Sequence, residues 1–187
     1  MGLRLAAHLL THPTYRARHC TVVDVGLRQA DGGGGYDTHS EDPITQTRNF
    51  DNFLLHLLSF INLPGENDPT KLDLDKTMIV LNTEFGRTPG RQGGPTAQGR
   101  NHWPHGFAQL YIGGPIRQQQ SGIYGHIDDT GHATEFATPA EQRIAALLAL
   151  GIYPFEAHGF SHGDVQGETE AGPAARSVIR RVLGHVV

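Results

Sequence analysis

Phe50, Phe53, Leu54, Leu57, Leu58 and Ile61 fall at i, i+3, i+4, i+7, i+8 and i+11, the repeat of one helix face. Two short apolar runs flank this helix. Cys20 to Leu27 is rich in β-branched Val22, Val23 and Val25, and Lys76-Thr77-Met78-Ile79-Val80-Leu81 is apolar enough for a strand covered on both sides. Asp31-Gly32-Gly33-Gly34-Gly35 ends the first run, and Pro64-Gly65 stops the helix. Strand, helix, strand in this order implies a right-handed crossover between parallel neighbours. The expected fold class is therefore α/β, with an open, mostly parallel sheet flanked by helices.

The remaining punctuation adds elements to that frame. Leu3, Ala6, Ala7 and Leu10 form a short opening helix before Pro13, and Phe107 to Ile112 is a third strand ended by Gly113-Gly114-Pro115. Ser121 to Tyr124 adds a short fourth. Thr138-Pro139-Ala140-Glu141 has a helix start written into it: Thr as N-cap, Pro at the first helical position and Glu at N3. Ile144, Leu147 and Leu148 bury its face and Gly151 caps its end. After a polar, Gly-rich stretch from His158 to Pro173, Ala174 to Leu183 reads as a terminal helix. The expected organisation is one α/β domain over 1–157, followed by loop and helix over 158–187. Three or four strands make a small sheet for 187 residues and leave uncovered edges, which points to an incomplete sheet with a portion missing on the N-terminal side.

Composition removes several function classes. Apolar residues at 37% and charged residues at 18% describe neither a disordered tail nor a membrane protein, and no apolar run reaches the roughly 18 residues of a span. A net charge of −4 gives no footprint for a polyanion, so nucleic acid is not an expected partner. The single Cys20 excludes an intrachain disulfide or a multi-cysteine zinc module. Met1 to Leu10 has no charged n-region or cleavage site of a signal peptide. There are 24 glycines, so long connections are expected, and 12 histidines, the commonest metal-ligating side chain.

Where the histidines fall decides the chemistry. In Asp37-Thr38-His39 an extended backbone points residues 37 and 39 to one side, so a carboxylate and an imidazole converge in the manner of a zinc, manganese or iron site. The alternative is an Asp capping a turn beside an exposed His. Glu84 follows the second strand directly, where open α/β sheets place their ligands. It could instead pair with Arg87, which is itself suited to an anionic group. Gly99-Arg100-Asn101-His102-Trp103-Pro104 precedes the third strand, and an antiparallel third strand would bring His102 to the same edge. No P-loop and no Gly-x-Ser-x-Gly pattern occurs, and no catalytic nucleophile can be assigned. The tetraglycine reads as a flexible turn more readily than as an anion nest.

Gly-Gly-Tyr-Asp-Thr-His at 34–39, Thr-Glu-Phe-Gly-Arg-Thr-Pro at 83–89, Gly-Arg-Asn-His-Trp-Pro at 99–104 and Gly-Ile-Tyr-Gly at 122–125 resemble the motifs of the DUF1501 proteins, in family order over about residues 3–155. That resemblance implies a bacterial protein of a family whose members often carry export signals and which is placed with the alkaline phosphatase and sulfatase superfamily. It implies a divalent metal, zinc, manganese or calcium, held by Asp37, His39, Glu84 and His102, with Arg87, Asn101 and His105 facing a phosphate or sulfate ester, either a small molecule or a modified glycan. This chain would be the C-terminal portion. Phe85 stands where a second-site His is common and Asn101 where an Asp is common, departures that weaken a two-metal reading. The competing expectation is a non-catalytic binding or cell-surface module on the same fold.

Overall fold

The computed structural model describes residues 2–27, 35–39, 44–83, 85–93, 98–114, 116, 122–155 and 159–184. The chain divides into two compact units, Met1–Thr77 with Phe85–Pro104, and Met78–Glu84 with His105–Val187.

The first unit holds helices α1 (Gly2–Thr11) and α2 (Ile44–Leu58) and a ribbon of strands β2 (Gly86–Arg87) and β3 (His102–Trp103). Its buried apolar residues are Ala7, Leu57, Ile61 and Leu72. The helical period of α2 is as the sequence requires, yet only its C-terminal end reaches that core. Phe50 and Leu58, on the same stripe, stay exposed, so the apolar face is wider than the surface the described residues offer it. Beyond α2, Ile61 and Leu72 form a parallel bridge, closed by the Asn62 amide, whose Oδ1 accepts from Asp68 N at 2.8 Å while Nδ2 donates to Asp68 O at 3.0 Å.

Cys20 to Leu27 departs from expectation. It makes no ladder: Val23 and Val25 are 81% and 75% exposed, and the backbone bonds at the end of the run go to Asn49 and Gly35 rather than to a neighbouring strand. Without that strand the crossover does not close, and among the described residues no parallel sheet is formed. The strands pair antiparallel, two at a time.

The second unit contains β1 (Met78–Leu81) paired antiparallel with β4 (Leu110–Gly113), so that Leu81 faces Leu110 and the end of one lies beside the start of the other. Gly114, at φ +56°, lets the chain leave β4 close to Met78, where a Cβ would stand 3.0 Å from that side chain. Residues 122–124 form no strand; the hairpin lies just beyond, β5 (His126–Ile127) with β6 (Ala133–Glu135). Helices α3 (Pro139–Ala149) and α4 (Ala171–Val182) pack together over a core of Ile144, Ala145, Phe155, Val165, Ala174, Val178 and Leu183. Among the described residues no helix is long and apolar enough to cross a membrane.

The expected N-cap of α3 is present with its reciprocal bond: Glu141 N donates to Thr138 Oγ1 at 3.1 Å, and Thr138 N donates to Glu141 Oε2 at 2.7 Å. Glu141 does more than cap. With no solvent exposure, its Oε1 accepts from Arg181 Nη2 of α4 at 2.5 Å and from Gln166 N at 3.0 Å. Burial opposes its ionisation, but the bonds from Arg181, Thr138 and Gln166 outweigh that and hold the carboxyl below its ordinary value. Removing one partner of such a pair leaves a buried charge, so Glu141→Ala should cost about 3 to 5 kcal/mol in urea denaturation. The depressed carboxyl contributes its full stability above the unfolded-state value near 4.3 and loses it as pH falls through the folded value. Glu141→Gln should accordingly flatten the acid limb of the stability curve; an unchanged limb would mean that Glu141 does not carry it.

Candidate metal and anion site

Within the first unit, three segments meet. The β2–β3 ribbon sets Arg87 directly across from His102, and the next rung, Thr88 N to Asn101 O at 3.0 Å, extends it. The third segment is Tyr36 to His39, fastened by Arg100 N donating to Thr38 O at 2.7 Å. A main-chain bond therefore joins the Asp-Thr-His segment to the one carrying His102.

The outcome is a facing pair of imidazoles. His39 Nε2 and His102 Nε2 are 2.7 Å apart, with ring centroids 4.6 Å apart. His39 Nδ1 lies 3.0 Å from Gln92 Oε1. With that oxygen accepting, Nδ1 carries the proton and Nε2 presents its lone pair towards His102, which must then supply the hydrogen from its own Nε2. This is also how metal-ligating histidines are held, the far nitrogen donating to an oxygen and the near one free to bind. Two nitrogens ligating one tetrahedral zinc stand about 3.3 Å apart, so roughly half an ångström of ring movement separates the two arrangements. The donor chemistry fits a borderline divalent ion.

Asp37 adjoins the pair. Its Oδ1 accepts from His39 N at 3.0 Å and lies 3.6 Å from Arg87 Nη2, and its side chain is 70% exposed. The His39 backbone bond first, helped by the charges of His39, Arg87 and His102, holds this carboxyl below its ordinary value against the opposing effect of burial. Phe85 stacks on His102 at 4.0 Å between centroids, and the Arg87 guanidinium sits 5.3 Å from the Phe85 ring centre. Guanidinium, phenyl ring and imidazole form a layered wall along one side of the pair. Thr38, between Asp37 and His39, is buried, and its Oγ1 has no hydrogen-bond partner.

Asp37, His39, Arg87 and His102 are thus brought together. Asn101 is adjacent, but its Oδ1 accepts from His102 N at 2.8 Å and so serves the backbone of β3. His105 belongs to the other unit, where its carbonyl accepts from Ala133 N at 2.8 Å and its ring stacks on His132 at 4.8 Å. Glu84 lies outside the described residues. Among the described residues, no three His, Cys, Asp or Glu side chains form a metal-binding group. Gln92 and the stacking of Phe85 were not legible in the sequence: glutamine in a Gly-rich loop carries no pattern, and Phe85 registers only as a departure from a motif.

These contacts give two expected outcomes. The Asp37 carboxyl should titrate below its ordinary 3.8 in carbon-detected NMR, and any stability it lends is present above the unfolded-state value and lost as pH falls through the folded one. Gln92→Ala should release His39 Nδ1, moving its imidazole nitrogen shifts towards the tautomer protonated on Nε2; unchanged shifts would show that Gln92 does not set the tautomer.

A family model for DUF1501, described as a protein of unknown function, matches residues 5–169. No curated protein and no solved structure matches the chain. The family match covers well over half of the sequence, and the chain belongs to the DUF1501 family.

Proposed function

We propose that this member of the family binds a divalent metal between His39 and His102 and uses it in hydrolysis of phosphate or sulfate esters. The observation that carries the reading is the 2.7 Å approach of the two Nε2 atoms with His39 Nδ1 committed to Gln92. Zinc, manganese or calcium are the candidate ions, imidazole favouring zinc. His39 and His102 would hold the ion, with Asp37 as a carboxylate ligand. Such an ion, when bound, polarises an ester oxygen and lowers the pKa of a water.

The chain's own residues account for the rest. Gln92 keeps the proton of His39 on Nδ1, so the lone pair stays on the ligating side. Arg87 lies within charge range of Asp37 and is placed to pair with an anionic ester group once Asp37 turns to a metal. Phe85 covers one side of the His102 ring and limits water there. The α/β architecture of the phosphatase and sulfatase superfamily belongs to the same proposal, as does a small anionic ester or glycan substrate.

A second reading is a binding module that retains the metal without turnover. It is favoured by Phe85, whose ring lies against His102 in the place where the superfamily commonly supplies a further metal ligand. One set of measurements separates the two. Zinc or manganese at a hundred times its Kd should add about 2.7 kcal/mol to stability, seen as a raised melting temperature that chelator reverses and that His39→Ala and His102→Ala each abolish. Metal-dependent turnover of an aryl phosphate or aryl sulfate, lost in the same variants, supports the hydrolase. Metal binding without turnover supports the module, and no metal response at all would overturn both.

A further inference from the structure

Asn49 is a buried polar side chain of α2 with no contact to the imidazole pair among its hydrogen bonds. It is 1% exposed. Its Oδ1 accepts from Leu27 N at 2.8 Å, and its Nδ2 donates to Gly35 O at 2.5 Å. Gly35 N in turn donates to Leu27 O at 2.9 Å. Two residues opposite each other in an antiparallel ladder normally exchange both N–H···O bonds. Here Leu27 and Gly35 exchange one directly, and the Asn49 amide, chemically a peptide group, is inserted into the other. Gln46, one turn earlier on α2, adds a weaker bond from Nε2 to the same Gly35 O at 3.2 Å.

The surrounding backbone is shaped to admit that amide. Gly26 and Gly35 both have positive φ, +75° and +71°. A Cβ on Gly26 would stand 3.0 Å from Gly35 Cα and 3.1 Å from Asn49 Cγ, so the approach closes to any larger residue. The chain then runs from Gly35 into Tyr36, whose hydroxyl donates to Asp24 Oδ2 at 2.6 Å, and so into Asp37 and His39. The segment that carries those two residues is held on one side by Asn49 and on the other by Arg100 N to Thr38 O.

We propose that Asn49 is a positioning residue for Asp37 and His39: by clamping Leu27 to Gly35 it fixes where the Asp-Thr-His segment begins and so keeps His39 facing His102. Its action is through the backbone, without contact with either imidazole. Its significance for catalysis or binding rests on the metal reading above, but the placement itself is a property of the chain without metal and is tested that way.

The test follows the imidazole nitrogens of His39 and His102 by NMR in metal-free protein, with Gln92→Ala as the control for a displaced His39. Asn49→Ala removes both bonds; Asn49→Asp keeps the acceptor for Leu27 N and sets an oxygen against Gly35 O. Both should retain a cooperative melt and the helical circular dichroism of the parent, yet move the His39 shifts in the direction seen for Gln92→Ala. A purely structural role would lower the melting temperature and leave the His39 shifts alone. Unchanged shifts in folded variants would overturn the proposal. Should neither variant fold, hydrogen exchange of the parent protein decides: Leu27 and Gly35 amides at least about tenfold slower than those of Val23 and Val25 support the clamp, and equal rates overturn it. Where parent protein binds zinc, Asn49→Ala should weaken it by about ten- to a hundredfold, as loss of other supporting contacts does. A parent that binds none of zinc, manganese and calcium overturns the metal reading and leaves the NMR result to stand by itself.

Discussion

A buried backbone N–H or C=O must find a partner, and in this protein the strands are too short to supply many. The ladders run two to four residues. Side chains with peptide-like or carboxylate chemistry take over: Asn49 between Leu27 and Gly35, Asn62 around Asp68, Asp128 under the turn of the hairpin, and Glu141 at the head of α3. Each satisfies backbone groups that no strand ladder pairs. Glu141 is the strongest case, because the same carboxylate also ties α3 to α4 through Arg181 and receives the Gln166 amide. Arg181 is itself located by Ser177 Oγ at 3.3 Å and Tyr124 Oη at 3.4 Å.

This dependence explains what could be read from the chain. Local rules succeeded where the determinant is local: the Thr138 to Glu141 capping box and the helical repeat around Leu57. Cys20 to Leu27 has the composition of a strand but not a partner for one, and composition carries no information about what lies alongside. At the site, the i, i+2 spacing of Asp37 and His39 and the place of His102 before the third strand made these residues candidates. Spacing could not reveal Gln92 or Asn49, polar amides whose importance lies wholly in which atoms they meet.

The electrostatics of the site follow from its openness. Asp37 is mostly exposed and its interaction with Arg87 is long, so solvent weakens their attraction and the pair can part at little cost. The imidazoles are fixed differently, one by Gln92 and the other by the Phe85 stack and the β-ribbon. The two ring nitrogens are thus held more firmly than the carboxylate beside them.

The bond from Arg100 N to Thr38 O uses no side-chain atom. Most residues could therefore replace either one and preserve it, whereas proline at position 100 would remove the donor. Through this bond the two imidazole-bearing segments, far apart in sequence, are joined by main-chain atoms alone, while Asn49, Phe85 and Gln92 of the intervening chain add the side-chain contacts that orient the rings.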